Sequence, residues 1–362
     1  MFVHQSQLEH LLSPRDFVEE AAHRRELDRL FLPGWHVVAV KAELPRPGAF
    51  QTRDLLGEPL LVRNVDGEVG VYLNVCPHRH CRLRSEPRGN DPHLRCQYHG
   101  WEFQGDGRTG MIPDARSFRP FDRENARLVK FRSQAWGDLV FASLSDGGPP
   151  LEEQLGPLAG EGDRYLANFR LAWTWQRDYE ANWKAVVENT LESYHIDCLH
   201  KKTLGVMPTE EQTTHVLEES FTTLRTPETY PWVSALQNAM VRALGGAVTN
   251  VYTHHMAHPH VWFISMDTMR LIQTVEPLTP TTSRHRAWLY TLDGARRNPW
   301  AWLMRTILRP IVVSTTRKIL TEDAGILAEV QRGLTSSRFK GVVGTREERV
   351  YYFQRYVLDR LG

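Results

Sequence analysis

Between Trp35 and about Ser145 the apolar residues fall in short runs separated by turn formers, the pattern of β-strands. Trp35-His-Val-Val-Ala-Val40, Leu60-Leu-Val-Arg-Asn-Val65 and Val69-Gly-Val-Tyr-Leu-Asn-Val75 are three such runs, and Asp66-Gly67 joins the last two as a hairpin signal. Gly105-Asp-Gly107 and Gly137-Asp-Leu-Val-Phe141 continue the pattern, so residues 35–148 are predicted to form a small antiparallel β domain. Upstream, Phe17, Ala21, Leu27 and Leu30 recur among charges as on a helix. Ser145-Asp-Gly-Gly-Pro-Pro150 closes the β domain with turn formers. Beyond it residues 181–200 read as a helix, 250–292 as several long strands and 300–334 as helical again. The predicted fold is α+β, with residues 1–34 and 149–362 forming a larger domain in which helices flank an antiparallel sheet.

Composition narrows the partners. The 362 residues, 41% hydrophobic and 24% charged, suffice for two cores. Lys plus Arg number 44 against 43 acidic residues, which leaves no electrostatic footprint for nucleic acid or an anionic membrane. No stretch approaches the roughly 18 consecutive apolar residues of a membrane helix, and Met-Phe-Val-His-Gln-Ser-Gln lacks the basic-then-apolar start of a secretion signal. A cytoplasmic protein is expected. Cys76, Cys81, Cys96 and Cys198 show no disulfide framework.

Two of those cysteines carry the most specific signal in the chain. Cys76-Pro-His78-Arg and Cys96-Gln-Tyr-His99-Gly-Trp101 each offer one thiolate and one imidazole, with seventeen residues between His78 and Cys96. A Rieske centre places two Cys on one iron and two His on the other, so these ligands match its inventory without remainder. Structural zinc also accepts two Cys and two His, but its cysteines usually pair as Cys-x(2 to 4)-Cys, whereas here each loop contributes one ligand of each kind.

A second constellation lies in Asn182-Trp-Lys-Ala-Val-Val-Glu188-Asn189-Thr-Leu-Glu192-Ser-Tyr194-His195-Ile-Asp-Cys-Leu-His200. On a regular helix residues five apart diverge by about 140°, so His195 and His200 can face one ion only if the helix ends or bulges after His195. Glu192, three residues before His195, would share its helical face. A ferrous site of the two-histidine, one-carboxylate type needs a third ligand. Ile319, Ile326, Leu327, Val330 and Leu334 make an apolar stripe at helical spacing with Asp323 inside it, and a buried carboxylate requires a charged partner or a metal.

The order Cys-x-His, then Cys-x-x-His-Gly-Trp, resembles the N-terminal part of the Rieske non-heme iron oxygenases. The similarity continues through Asn182-Trp183-Lys184, Glu188-Asn189, Glu192, Tyr194, His195 and His200 to Glu322-Asp323 and Gln331-Arg-Gly333, about residues 30 to 340. It implies a terminal oxygenase component in which Cys76, His78, Cys96 and His99 hold a [2Fe-2S] cluster and His195, His200 and Asp323 hold a mononuclear Fe(II). It also implies a homotrimer: within one chain the two metal sites of the family are far apart, and a head-to-tail ring lets Glu192 bridge His195 to His99 of a neighbouring subunit. O2 and a small organic molecule would be the substrates. No Gly-rich dinucleotide fingerprint is legible, so electrons are expected from a separate NAD(P)H-dependent reductase or a ferredoxin. Glu rather than Asp at position 192 resembles the branch that oxidises quaternary ammonium compounds, where hydroxylation of an N-methyl group ends in demethylation. An aromatic-ring dioxygenase or monooxygenase acting on benzoate- or salicylate-like substrates is the alternative, and a Rieske electron-transfer protein without oxygenase activity is an alternative of another class. His80-Cys81 departs from the family, which usually has a small residue after Cys-x-His-Arg; packing at the loop is the expected role.

Other candidates are weaker. His254, His255, His258 and His260 lack an accompanying carboxylate or thiol, so pocket lining or surface is expected rather than a metal role. Asp197 is expected to be solvated or capping. Asn189 and Tyr194 are candidates to hold the second ring nitrogens of metal-bound histidines. Trp232, Trp262 and Phe263 are candidates to enclose a substrate, and an aromatic cage would suit a trimethylammonium group.

Overall fold

The computed structural model describes every residue except 1, 123, 205–206 and 229–230, and every side chain among these but those of 231–234. The chain forms two compact units. Leu32–Leu151 with Gly160–Asp163 make one; Met1–Phe31, Glu152–Ala159 and Arg164–Gly362 make the other.

The first of these is a β structure. Its strands are β1 (His36–Val40), β2 (Ala49–Leu55), β3 (Glu58–Val65), β4 (Glu68–Leu73), β5 (Arg88–Asn90), β6 (Leu94–Arg95), β7 (Glu102–Phe103), β8 (Lys130–Trp136) and β9 (Leu139–Ser143). Seven form an antiparallel sheet in the order β1-β9-β8-β4-β3-β2-β5, and β6-β7 is a separate hairpin. Asp66-Gly67 turns β3 into β4 as expected, with both residues at positive φ and Val65 paired to Glu68. One core cluster gathers Tyr72, Leu83, Leu94, Trp101, Phe103 and Leu128 around Cys76 and Cys96. Burying the two cysteines among these side chains fixes the loops that carry them.

The second unit begins with helix α1 (Glu20–Glu26), where the sequence pattern predicted helix, and is built on a seven-stranded antiparallel sheet. Its strands are β10 (Phe169–Tyr179), β11 (Thr214–Leu217), β12 (Phe221–Pro227), β13 (Val251–Ala257), β14 (Val261–Ser265), β15 (Met269–Thr279) and β16 (Thr282–Leu292), in the order β10-β16-β15-β14-β13-β12-β11. Helices α2 (Trp183–Leu191), α3 (Ile196–Leu199), α4 (Pro231–Leu244), α5 (Pro299–Ser336) and α6 (Glu348–Leu361) belong to the same unit. The fold is the mixed α+β architecture expected. No helix among the described residues is long and apolar enough to cross a membrane.

Three expectations need correction. Residues 181–200 are not one helix: α2 stops at Leu191, Glu192 is extended (φ −122°, ψ 166°) and α3 starts after His195. The break therefore precedes His195 rather than following it. On α5 the buried face is Thr316, Leu320, Ala324, Leu327 and Gln331, while Ile326 and Val330 of the expected stripe are exposed. Asp323 lies at the edge of that buried face. Helix α6 was not anticipated from the pattern at all.

The motif Asn182-Trp183-Lys184 has a structural cause. The Asn182 side chain caps α2 by accepting from the Lys184 amide at 2.8 Å, satisfying one of the first-turn donors. Trp183 packs edge-on against Phe31 and Phe353 and donates to Glu26 Oε2 at 2.6 Å. Lys184, fully buried, pairs with Glu26 Oε1 at 2.5 Å. From α5, Gln331 Oε1 accepts the Asn182 backbone N–H at 2.7 Å, tying together the helices that carry Glu192 and Asp323. Such a fully partnered buried network fixes register between elements, which a metal site assembled from several elements requires.

Candidate metal centres

The two cysteine loops share one backbone design. Cys76 N donates to Cys81 C=O and Cys96 N donates to Trp101 C=O, each at 2.8 Å; His80 N donates back to Cys76 C=O at 2.9 Å and Gly100 N to Cys96 C=O at 3.0 Å. The fifth residue of each turn is left-handed, His80 at φ +58° and Gly100 at φ +71°. That position explains why a small residue suits the loop, and it makes His80 a mildly strained member of its turn. His80→Gly is expected to stabilise the loop by about 0.5–1 kcal/mol, the relief of left-handed strain outweighing the entropy that glycine adds to the unfolded chain. The temperature at which the visible absorbance of the cluster is lost should rise by about 2 °C; no rise or a fall would show that the His80 side chain contributes more than strain.

Cys76 and Cys96 are buried. Burial and the neighbouring Cys96 push the Cys76 thiol up to about 11, partly opposed by backbone amides of the loop. His78 and His99 meet edge to face with ring centroids 4.8 Å apart, and His78 stacks flat on Trp101 at 4.6 Å. His99 is exposed. Cys81 packs, partly buried, against the core around the loops, as expected, and its thiol also lies beside Cys96. A single zinc would gather four donors about one point. Two loops that each offer one cysteine and one histidine instead match a two-iron cluster, with two thiolates on one iron and two imidazoles on the other.

The donor atoms of His195, His200 and Asp323 lie within 4.8 Å of one another. His200 Nε2 is 3.0 Å and His195 Nε2 4.0 Å from Asp323 Oδ1. Each ring is held from behind by a carboxylate. Glu192 Oε1 contacts His195 Nδ1, and Glu322 Oε2 lies 2.8 Å from His200 Nδ1 while accepting from Thr203 Oγ1 at 2.7 Å. This carboxylate behind each imidazole fixes the ring and presents Nε2 to the shared point, as metal histidines require. Burial would lower the His200 pKa, but the Asp323 and Glu322 carboxylates outweigh it and raise it. Two histidines and a carboxylate on one side of a point is the donor chemistry of non-heme ferrous sites, and these residues fit it.

Glu192 reaches His195 by a different route from the helical face expected of it. Its extended backbone ends α2, and its carboxylate then accepts the amides of Tyr194 and His195. Asn189 donates to Asp323 Oδ1 at 3.1 Å, so it holds the carboxylate and not a histidine ring. Tyr194 is 63% exposed and does not hold a ring nitrogen; Glu192 and Glu322 do. Glu322 was visible in the sequence only as the neighbour of Asp323. Asp197 is exposed and accepts from the Met207 amide at 2.7 Å, a capping role as expected.

These groups open on a cavity of about 260 Å³. One wall is a single face of the sheet, read at the two-residue period of strands: Leu224 and Thr226, Tyr252 and His254, Trp262 and Ile264, Met269, Leu271 and Gln273. Helices α2 and α5 supply the other wall through Val186, Asn189, Ile319 and Leu327. Trp262 lines the cavity as anticipated; Phe263, on the opposite face, packs on Tyr165 and His255, and the Trp232 side chain lies outside the described residues. Of the histidine group only His254 lines the cavity. His255 bonds Thr223 at 2.8 Å and His258 stacks on Tyr356; burial, then Arg349, holds them down to about 4 and about 3, so both are neutral core residues. Arg349 was missed by sequence reading although it lines the cavity. Its signal was its place beside Val350, Phe353 and Val357, the buried face of α6.

Paired Cys/His loops on a β domain, together with a two-histidine, one-carboxylate point in an apolar cavity, are the construction of a Rieske-type non-heme iron oxygenase subunit. Residues 34–126 match the Rieske [2Fe-2S] domain, and residues 166–362 match the ring hydroxylating alpha subunit catalytic domain. The chain belongs to that family, whose members carry a Rieske cluster and a mononuclear iron. It is 31% identical over 191 residues to the carnitine monooxygenase oxygenase subunit of Escherichia coli K12, covering 51% of each chain. It is 34% identical over 201 residues to the large oxygenase component of salicylate 5-hydroxylase from Ralstonia sp, covering 51% of this chain and 47% of that one. The chain thus spans about half the length of the curated relatives it matches. In fold it is similar to the quaternary ammonium Rieske monooxygenase CntA solved with L-carnitine, with a TM-score of 0.79 at 20% identity over 99% of this chain and 96% of that one.

Proposed function

We propose that the chain is a terminal oxygenase component that hydroxylates a small organic substrate with O2 and electrons from a separate reductase or ferredoxin. The observation that carries the proposal is the convergence of His195, His200 and Asp323 on an apolar cavity, with a carboxylate behind each ring. Iron bound there supplies the activation of O2, and a cluster held by Cys76, His78, Cys96 and His99 supplies single electrons. The protein's share is positioning. Glu192 and Glu322 fix the ring tautomers, Asn189 orients the Asp323 carboxylate, and the apolar lining limits water around the reacting carbon.

Glu192 is proposed to bridge His195 to His99 of a neighbouring subunit in a homotrimer; exposure of His99 suits that contact. The aromatic cavity residues Tyr179, Tyr252 and Trp262 suit a quaternary ammonium substrate, and the likeness to relatives named for carnitine and glycine betaine supports that class. With an N-methyl substrate the hydroxylated product would lose the methyl group. Oxygen uptake by the purified protein with a surrogate reductase tests the proposal, comparing L-carnitine and glycine betaine with benzoate and salicylate. Uptake matched by hydroxylated or demethylated product is expected with the betaines; coupled uptake with the aromatic acids alone would move the substrate class, and none with any member would remove the quaternary ammonium reading.

A further inference from the structure

Arg349 stands in the first turn of α6, is 1% exposed, and lines the same cavity as His195, His200 and Asp323. A guanidinium has five N–H donors and no acceptor. Three are used here: Nε donates to Thr222 Oγ1 at 3.1 Å, Nη1 to the Leu191 carbonyl at 3.3 Å and Nη2 to His254 Nδ1 at 2.8 Å. All three acceptors are neutral. No carboxylate among the described residues forms an ion pair with it. Its chain neighbour Glu348 is committed to His215 at 2.6 Å and to the amides of Val3 and His4.

Burial lowers the Arg349 pKa to about 9, which still leaves the group charged at neutral pH. A buried cation without a counter-ion is costly, and among the described residues only these neutral acceptors offset it. The acids that share the cavity form no ion pair with it: Glu192 contacts His195, Asp323 meets His200 and Asn189, and Glu228 accepts from Gln237 through one oxygen. The surroundings also hold the guanidinium in one pose. Because Arg349 can only donate, His254 Nδ1 must accept, so the His254 proton sits on Nε2 and is given to Thr190 Oγ1 at 3.0 Å. Thr190, His254 and Arg349 form a clamp whose remaining two N–H groups have no partner among the described residues.

We propose that Arg349 is the anchor for a carboxylate on the substrate, so that the compound oxidised is a carboxylic acid or a zwitterion held with its reactive carbon toward His195, His200 and Asp323. The proposal rests on reading the cavity as the substrate site. A carboxylate matches the fork of a guanidinium, supplies the missing negative charge, and forms its strongest hydrogen bonds where water is excluded. An uncharged ligand of the same shape would leave the cation unpaired.

The test is binding to the oxidised holoenzyme by calorimetry, with no turnover. L-Carnitine and glycine betaine are compared with their methyl esters, and salicylate with salicylamide, first on the unaltered protein. At least one acid should bind tenfold or more tightly than its uncharged-carboxyl counterpart. That preference should fall below about twofold in Arg349→Gln and survive in part in Arg349→Lys. Equal binding of every pair, or no binding by any acid, overturns the proposal without need of a variant; so does a preference unchanged in a folded Arg349→Gln protein. The outcome separates from that of the oxygenase reading. An acid preference without coupled oxygen uptake keeps the anchor and removes the activity, whereas coupled uptake without an acid preference does the reverse.

Discussion

An Asp323→Ala protein is expected to keep the visible spectrum and the reduced paramagnetic signal of the cluster while its product formation falls by more than about 100-fold. Asp323 is the carboxylate toward which both imidazole Nε2 atoms point, and Asn189 holds it in place. Removing it leaves two histidines, too few to hold a labile ferrous ion on one face against water. The cysteine loops are held within their own unit: their cysteines sit in its core and their turns close on their own backbone. Product formation within a few fold of the unaltered protein would remove Asp323 from the mechanism.

Glu192→Gln is expected to act on a different step. The carboxylate touches three donors at once, the amides of Tyr194 and His195 and His195 Nδ1. An amide oxygen can still take the ring proton, with the NH2 then facing the two backbone amides and loosening the turn, so the His195 tautomer and the iron content should survive. The negative charge between the ring and the proposed contact with His99 is lost, and reoxidation of the reduced cluster by O2 in the presence of substrate should slow by about 10–100-fold. Stopped-flow absorbance of the cluster reads this directly. Reoxidation at the original rate would show that Glu192 only shapes the turn after α2.

Much of this arrangement was legible in the chain because the chemistry is local. Cys76, His78, Cys96 and His99 declare themselves by spacing within two hairpin loops, and strand punctuation marks the β domain around them. His195 and His200 are also neighbours in sequence. What failed was the conformation just before them: the run from Asn182 to His200 has the composition of one helix, but Glu192 accepts the two amides that follow it and the chain leaves the helix there. A carboxylate competing locally for backbone donors is a choice that periodicity does not report. The partners of the rings were missed for the opposite reason. Glu322 reaches His200, and Arg349 reaches His254, across more than ninety residues of chain, and both become visible only once α5 and α6 are set against the sheet.

One chain is proposed to supply ligands for both a [2Fe-2S] cluster and a separate mononuclear iron. Measuring iron and acid-labile sulfide in the same purified sample tests it most directly. About three irons for every two sulfides are expected in the reconstituted protein, falling to about two for two in Asp323→Ala. A ratio of two to two in the unaltered protein after iron reconstitution would contradict it and leave an electron carrier in place of an oxygenase.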